Sequence, residues 1–496
     1  MKLIKAMATV AGLTGLSRIF GFIRDILMAA VLGAGAIADA FFVALKLPNF
    51  FRRVTAEGAF SVSFIPMYSE KLEKEGEKGA DEFASVAFAV MLAILVPFTL
   101  LALWAMPWII YGIAPGFSGD EVRYPLAVEL SRVTFPYLLL MSLTALLGGV
   151  LNARSRFAPF AAAPILFNVC LIIALLLSPQ FEGMIESVGH GLAWGVFAAG
   201  VVQFLWLLYA IKRAKVGLRL KLPRLNADIK KLFALMGPGV IGAGVMHINL
   251  FADLILASLL PAGSISYLYY ADRLNQLPLG MVGIAVGTAL LPMLSKAVAA
   301  EDKSEAKNLF NRSLEVCFLF SLPAAFAFFA ISPQLVSGLF ERGAFDARDA
   351  QMTAAVLMLY AVGLPAYIGV KVFNTAFWSN QDTMTPVKIS IVITFLNIVL
   401  SIVLIQYIGV FGIALATGLV GWIYLFLMHV RVKRMGGFDF DDRFRKAFLK
   451  ILVCSALMYL VLKWGIMIFG ASLSAVPLMV ALVFLGAAFY GLGILR

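Results

Sequence analysis

The chain is a succession of long apolar runs separated by short polar breaks, and most runs reach the roughly 20 residues that a helix needs to cross a bilayer core. The runs fall at 7–32, 38–68, 83–111, 125–152, 157–178, 188–211, 232–260, 265–295, 309–332, 351–377, 386–406, 409–430, 446–470 and 474–494. In lipid every backbone N–H and C=O must find a partner inside the protein, which leaves only helices and closed barrels. Barrel strands alternate polar and apolar residues over segments of about ten, and no such alternation is present. The expected fold class is therefore an all-α polytopic membrane protein with fourteen transmembrane helices. Composition agrees: 14% of residues are charged, against about 25% in soluble domains.

The net charge of +12 is a topology signal. With the N-terminus in the cytoplasm, 28 Lys and Arg fall on cytoplasmic segments or the span ends that adjoin them and 3 outside, namely Arg123, Arg342 and Arg348. The positive-inside rule then places both termini in the cytoplasm, and nucleic acid is not an expected partner. Arg18, Arg24 and Asp25 interrupt the first apolar run, so no signal-peptide cleavage is expected. Cys170, Cys317 and Cys454 lie in apolar runs without metal-ligand spacing, and His190, His247 and His429 are scattered. Gly237 to Gly242 formally matches GxGxxG but opens a membrane helix with no strand before it, and GxxxxGK[ST] is absent. No enzyme chemistry and no ATP hydrolysis is expected.

The chain repeats itself. Asp25–Ile37 aligns with Asp253–Ile265 at an offset of 228, Phe41-Phe42 falls on Tyr269-Tyr270, and Pro66-Met-Tyr-Ser69 recurs as Pro292-Met-Leu-Ser295 at an offset of 226. Six spans separate the copies, so both enter the membrane in the same sense. The expected organisation is a six-helix lobe at 1–211, a basic cytoplasmic linker at 212–231, a second six-helix lobe at 232–431, and a loop with two extra helices at 432–496. Parallel repeats of this kind enclose a central site near mid-membrane.

Nine basic residues lie within spans beyond the first five residues at a cytoplasmic end: Arg18, Arg24, Lys46, Arg52, Arg53, Arg132, Arg273, Lys371 and Lys463. A charge at a helix centre costs about 3 kcal/mol on insertion scales. Those that cannot snorkel must therefore face water, an acid or an anionic ligand. On a helical wheel Thr14, Ser17, Arg18, Gly21, Arg24 and Asp25 occupy one arc of the first span, and Asp39, Lys46, Asn49, Arg53 and Glu57 cluster on the second. Pro48 should kink the second span and swing Arg52 toward the same side. In the eighth span Ser266, Tyr270 and Arg273 share a face, and the repeat sets Arg273 opposite Arg18, Arg24 and Arg52. Convergent arginines suit a phosphate or pyrophosphate, whose oxygens the planar guanidinium grips bidentately. A simple Arg–Asp packing pair is the competing reading, left incomplete by two arginines against one acid.

Ser17-Arg-Ile-Phe-Gly-Phe-Ile-Arg-Asp25, Ala38-Asp-Ala-Phe-Phe42, Leu47-Pro-Asn-Phe-Phe-Arg-Arg53, Ala56-Glu-Gly-Ala-Phe60 and Tyr269-Tyr-Ala-Asp-Arg273 closely resemble the bacterial MurJ/MviN lipid II flippases. Pro115-Gly-Phe117, Arg132–Tyr137 and Gln381–Lys388 are also similar to that family, so the likeness covers essentially the whole chain. The resemblance implies two lobes and fourteen helices. It also implies that the substrate is lipid II, an undecaprenyl pyrophosphate bearing a disaccharide-pentapeptide. Arg18, Arg24, Arg52 and Arg273 match headgroup-binding arginines, and Asp39 matches a required acid. Ser17, Asp25, Asn49, Arg53, Glu57 and Ser266 are the supporting polar positions. The last two helices match a groove for the lipid tail. Sodium is the one cofactor implied, with Asp253 the nearest match to its ligand, although the other ligand positions do not map onto this chain. The implied setting is the bacterial cytoplasmic membrane, with membrane lipids and the cell-wall synthesis machinery as neighbours. A pyrophosphate carrying about two negative charges gains about 4–5 kcal/mol on leaving a cytoplasm 100 mV negative, so the membrane potential can drive export by alternating access. A flippase for another polyprenyl-linked oligosaccharide would share this physics, whereas a multidrug/cation antiporter would need an acid-rich site.

Overall fold

The computed structural model describes residues 2–52, 60–181, 187–436 and 438–495, with backbone alone at 2–7, 179, 181, 238–248, 250, 281–288 and 495. The described chain is helical almost throughout, with a single β-bridge between Arg342 and Phe345. The helices are α1 (Lys2–Leu32), α2 (Ala36–Phe51), α3 (Ser61–Trp104), α4 (Met106–Ile113), α5 (Arg123–Thr134), α6 (Tyr137–Ala153), α7 (Ala158–Leu177) and α8 (Val188–Arg213). They continue with α9 (Ala227–Ser258), α10 (Ser264–Ala299), α11 (Lys303–Phe340), α12 (Ala347–Ser379), α13 (Met384–Ile408), α14 (Val410–Lys433), α15 (Asp442–Phe469) and α16 (Ala475–Leu495). Among the described residues ten spans are long and apolar enough to cross a membrane. α1, α2, α9 and α10 stand at the other four expected positions.

Three boundaries differ from expectation, each for a physical reason. The polar stretch after Tyr68 stays helical, because Lys71–Glu75 and Lys74–Glu70 pair one turn apart. The break comes only at Gly76, whose φ of 70° favours glycine. The third expected span ends at Ala105 and resumes as α4, with Pro107 in its first turn. The fourth divides at Pro136, which lacks an N–H, into α5 and α6. Helix starts carry side-chain caps: Asn226 accepts from the Ile229 N–H, Asp302 from Glu305 and Asp441 from Phe444, and Asp346 forms a capping box with Asp349.

The helices group into two compact units, Met1–Gly263 and Ser264–Arg496. The division falls after α9, whereas the repeat puts the boundary of the lobes at 212–231. α9 packs on α3, α4 and the turn at Pro115–Phe117, so its contacts are with the helices before it. In the first unit α7 lies between α1 and α8, and α6 between α3 and α8. Stacked Phe60, Phe64 and Phe83 centre its core. In the second unit α12 packs on α10, α11 and α14. There Gly363 and Gly418 let two backbones touch, since a Cβ on Gly363 would stand 2.8 Å from the Gly418 Cα. α15 and α16 pack on α11 through Met458, Leu462, Leu478 and Leu482.

Candidate functional site

The first unit holds a buried arginine on the polar face of α1. Arg24 is 6% exposed and Asp25 3%. Arg24 Nε and Nη2 both donate to Asp25 Oδ1, at 3.1 and 2.6 Å, and Nη1 donates to Asn168 Oδ1 at 3.0 Å. Asn168, on α7, is itself oriented by donating to the Ser17 carbonyl at 3.0 Å. Gly21 leaves room for that amide, 3.5 Å from where its Cβ would be. The Phe167 ring lies 5.8 Å from the guanidinium. Three of the five N–H donors of Arg24 are thus committed and two remain for a ligand. The Arg–Asp pair anticipated as a packing element is real, and it also fixes the direction of the guanidinium. Arg18, six residues earlier, is exposed and makes no ion pair among the described residues.

On α2, Asn49 donates to the Leu45 carbonyl at 2.8 Å and accepts from Arg52 Nε at 3.2 Å. Arg52 sits where α2 ends, just after Pro48. Arg53 and Glu57 lie outside the described residues. Asp39 takes a different place from the polar stripe expected of it. It is fully buried at the start of α2, and its Oδ2 accepts from the Gly263 N–H at 2.8 Å. Nearby, Arg123 donates to the Leu260 carbonyl at 3.0 Å and the Gly116 N–H donates to Ser258 Oγ at 3.2 Å. Together these bonds tie the turn after α9 to α2 and to the loop before α5. Asp253 accepts from Asn249 at 3.4 Å, one turn earlier on α9.

In the second unit Arg273 donates from Nη2 to the Tyr269 hydroxyl at 3.0 Å and stacks over that ring at 4.9 Å. Ser266 and Tyr270 are fully buried, Tyr270 against Phe340 and Phe345. The expected shared face of Ser266, Tyr270 and Arg273 therefore turns two of its members into the protein. Other span cations have ordinary local partners: Arg132 donates to the Leu103 carbonyl and Lys463 lies over Tyr459. Asn168 was not foreseen from sequence. Its signal is there, as the single amide in the apolar run of α7.

An arginine buried in a membrane helix with two N–H donors uncommitted offers hydrogen bonds that an anion could accept, and comparison with known proteins gives the family of the whole chain. The family described as lipid II flippase MurJ matches residues 28–484. The chain belongs to the MurJ lipid II flippase family. A probable lipid II flippase MurJ from Rhizobium tropici is 38% identical over 459 residues, covering 92% of this chain and 86% of the relative. The lipid II flippase MurJ of Burkholderia cenocepacia is 32% identical over 501 residues, covering 99% and 96%. A solved structure of lipid II flippase MurJ in an inward closed conformation is similar with a TM-score of 0.80 at 26% identity, covering 98% of this chain and 97% of that one. An inward-facing multidrug-resistance MATE transporter of the MOP superfamily reaches 0.71 at 14% identity, covering 86% and 98%, a likeness of fold alone. Membership in the MurJ family makes this chain a multi-pass membrane transport protein and not an enzyme.

Proposed function

We propose that the chain moves lipid II from the inner to the outer leaflet of the bacterial cytoplasmic membrane by alternating access. The observation that carries this reading is Arg24, a buried guanidinium aimed by Asp25 and Asn168 with two N–H donors uncommitted. Pyrophosphate oxygens are the matching acceptors, and the bidentate fork suits them better than a point charge does. Arg18, Arg52 and Arg273 act on the same headgroup, and the tail stays in lipid alongside α15 and α16. Both termini and the 212–231 connector are cytoplasmic, and the membrane potential drives export without ATP.

Sodium is the one ion the family implies. The Asn249 amide oxygen is buried without a hydrogen-bond partner and its nitrogen donates to Asp253. That pair fits as two oxygen donors of a sodium shell on α9. The cell-wall synthesis machinery supplies and removes the substrate. The test is depletion of the protein in cells: undecaprenyl-linked precursor should accumulate in the inner leaflet. Accumulation of another lipid-linked oligosaccharide, with lipid II unchanged, would refute the assignment.

A further inference from the structure

The connector between α8 and α9 is clamped to the protein by its backbone while Leu220, Leu222 and Leu225 face away from it. The Gly217 N–H donates to Asp81 Oδ2 at 2.7 Å and the Arg219 N–H to Ser85 Oγ at 3.0 Å. Asp81 is itself held by Tyr68 at 2.9 Å and Arg154 at 2.7 Å. Lys221 turns in to Glu82 at 2.6 Å. Leu218 packs against the core of the first unit, and beyond it Leu220 and Leu222 turn outward on either side of Lys221. They are each 77% exposed, and Leu225 is 64% exposed. The same stretch carries Lys212, Arg213, Lys215, Arg219 and Arg224, which form no ion pair among the described residues.

The second unit supplies a comparison. Its segment after α14 is clamped to α11 in the same manner, with Asn311 bonding the Asp439 carbonyl and the Asp441 N–H. There the apolar residues fold inward: Phe438 is buried and Phe440 stacks on His429. A backbone clamp therefore does not require exposed leucines, and in the first connector they add nothing to internal packing. The clamp sits beside Asp81 and Ser85, where the third apolar run begins. On α8, Trp206 and Tyr209 precede it as exposed aromatics of the kind that mark the headgroup level.

We propose that residues 217–225 form a binding site for anionic phospholipid headgroups, with Leu220, Leu222 and Leu225 dipping into the acyl boundary and the unpaired cations meeting the phosphates. The placement in the cytoplasmic leaflet rests on the topology proposed above. The connector runs into α9, whose first turn is held to α3 by the Lys71–Asp228 pair at 3.1 Å.

The amides of Leu220, Lys221, Leu222, Arg224 and Leu225 make no hydrogen bond with the described residues, so their exchange with solvent deuterium reports directly on covering. The experiment is hydrogen–deuterium exchange of the full chain in nanodiscs of phosphatidylcholine, with and without phosphatidylglycerol. Exchange at 220–225 should slow by about tenfold or more with the anionic lipid, since each basic residue near such a surface is worth roughly fivefold in occupancy. Arg219→Gln with Arg224→Gln should remove the lipid dependence, and Leu220→Ser with Leu222→Ser and Leu225→Ser should remove the protection itself. Amides inside α8 serve as the reference for intact folding. Equal exchange in both nanodiscs, or slowing only when a cytosolic protein is added, would overturn the proposal. A nanodisc exposes both faces, so an error in topology leaves this result unchanged and is read separately by cysteine labelling.

Discussion

Replacing Arg24 by lysine separates a gripping arginine from a merely positive one. Lysine keeps the charge but carries one nitrogen on a flexible stem. It can reach Asp25 or Asn168 and cannot reproduce both the two hydrogen bonds to Asp25 Oδ1 and the one to Asn168. Side-chain hydrogen bonds inside membrane proteins average about 0.6 kcal/mol, so losing two of them costs roughly 1–2 kcal/mol and leaves the protein inserted. Losing one prong on a charged ligand costs about 1.5–3 kcal/mol, tenfold or more in headgroup affinity. The mutant should therefore reach normal membrane levels by immunoblot, fail to support growth when the wild-type copy is depleted, and bind purified lipid II at least tenfold more weakly. Growth and affinity within twofold of wild type would refute direct recognition by the guanidinium. Asn168→Leu is the companion: it removes the aim of Nη1 but keeps the guanidinium, and should weaken binding only severalfold.

Lys463→Ala, which removes a cation lying over Tyr459, should leave growth unaffected in the same depletion assay. Asp39→Leu strands the Gly263 N–H and should lower stability by about 1–3 kcal/mol, read as a lower melting temperature in detergent, while Asp39→Asn retains an acceptor and should lose less. The Asp120 carboxyl is held below its ordinary value, first by the Arg123 backbone N–H. Its stabilising contribution is complete above about pH 4 and is lost as pH falls through the lowered value, so Asp120→Asn should flatten the fall of the melting profile below about pH 4. Cysteines placed in 212–231 should label from the cytoplasmic side alone; labelling from outside would invert the topology.

The helical class and most span positions were legible because lipid leaves few backbone options and hydropathy reports them. Where the helices break was less so. The charged stretch after Tyr68 looked like a loop, yet its ion pairs keep it helical until Gly76. The arginines were legible as expensive charges, but wheels gave only their side of a helix. Whether Arg24 points at a ligand or a partner depended on Asn168, 144 positions away, a relation that periodicity cannot carry. Asp39 shows the same limit. An acid at the start of a span reads as a polar wall residue, and its actual partner is a backbone N–H more than 220 residues later in the chain.

The repeat shows which of these features belong to the scaffold. Offset 228 carries the start of α2 at Ala36 onto the start of α10 at Ser264, and Phe117 onto Phe345, both buried. Asp39 then corresponds to Tyr267, whose hydroxyl donates to Asp349 at 3.0 Å. At the same register position one copy supplies an acceptor and the other a donor, but the partners are not equivalent: Asp39 bonds Gly263, which aligns with Gly35 at the same offset, whereas Tyr267 bonds Asp349 within its own copy. Asp25 corresponds to Asp253, but the place of Arg24 is taken by Ala252. The buried anchors recur in function if not in residue type, whereas the Arg24 guanidinium is peculiar to one half. On the proposed function a headgroup needs its grip only where it binds, and an Arg24 without a counterpart at Ala252 is what an asymmetric substrate asks of a duplicated fold.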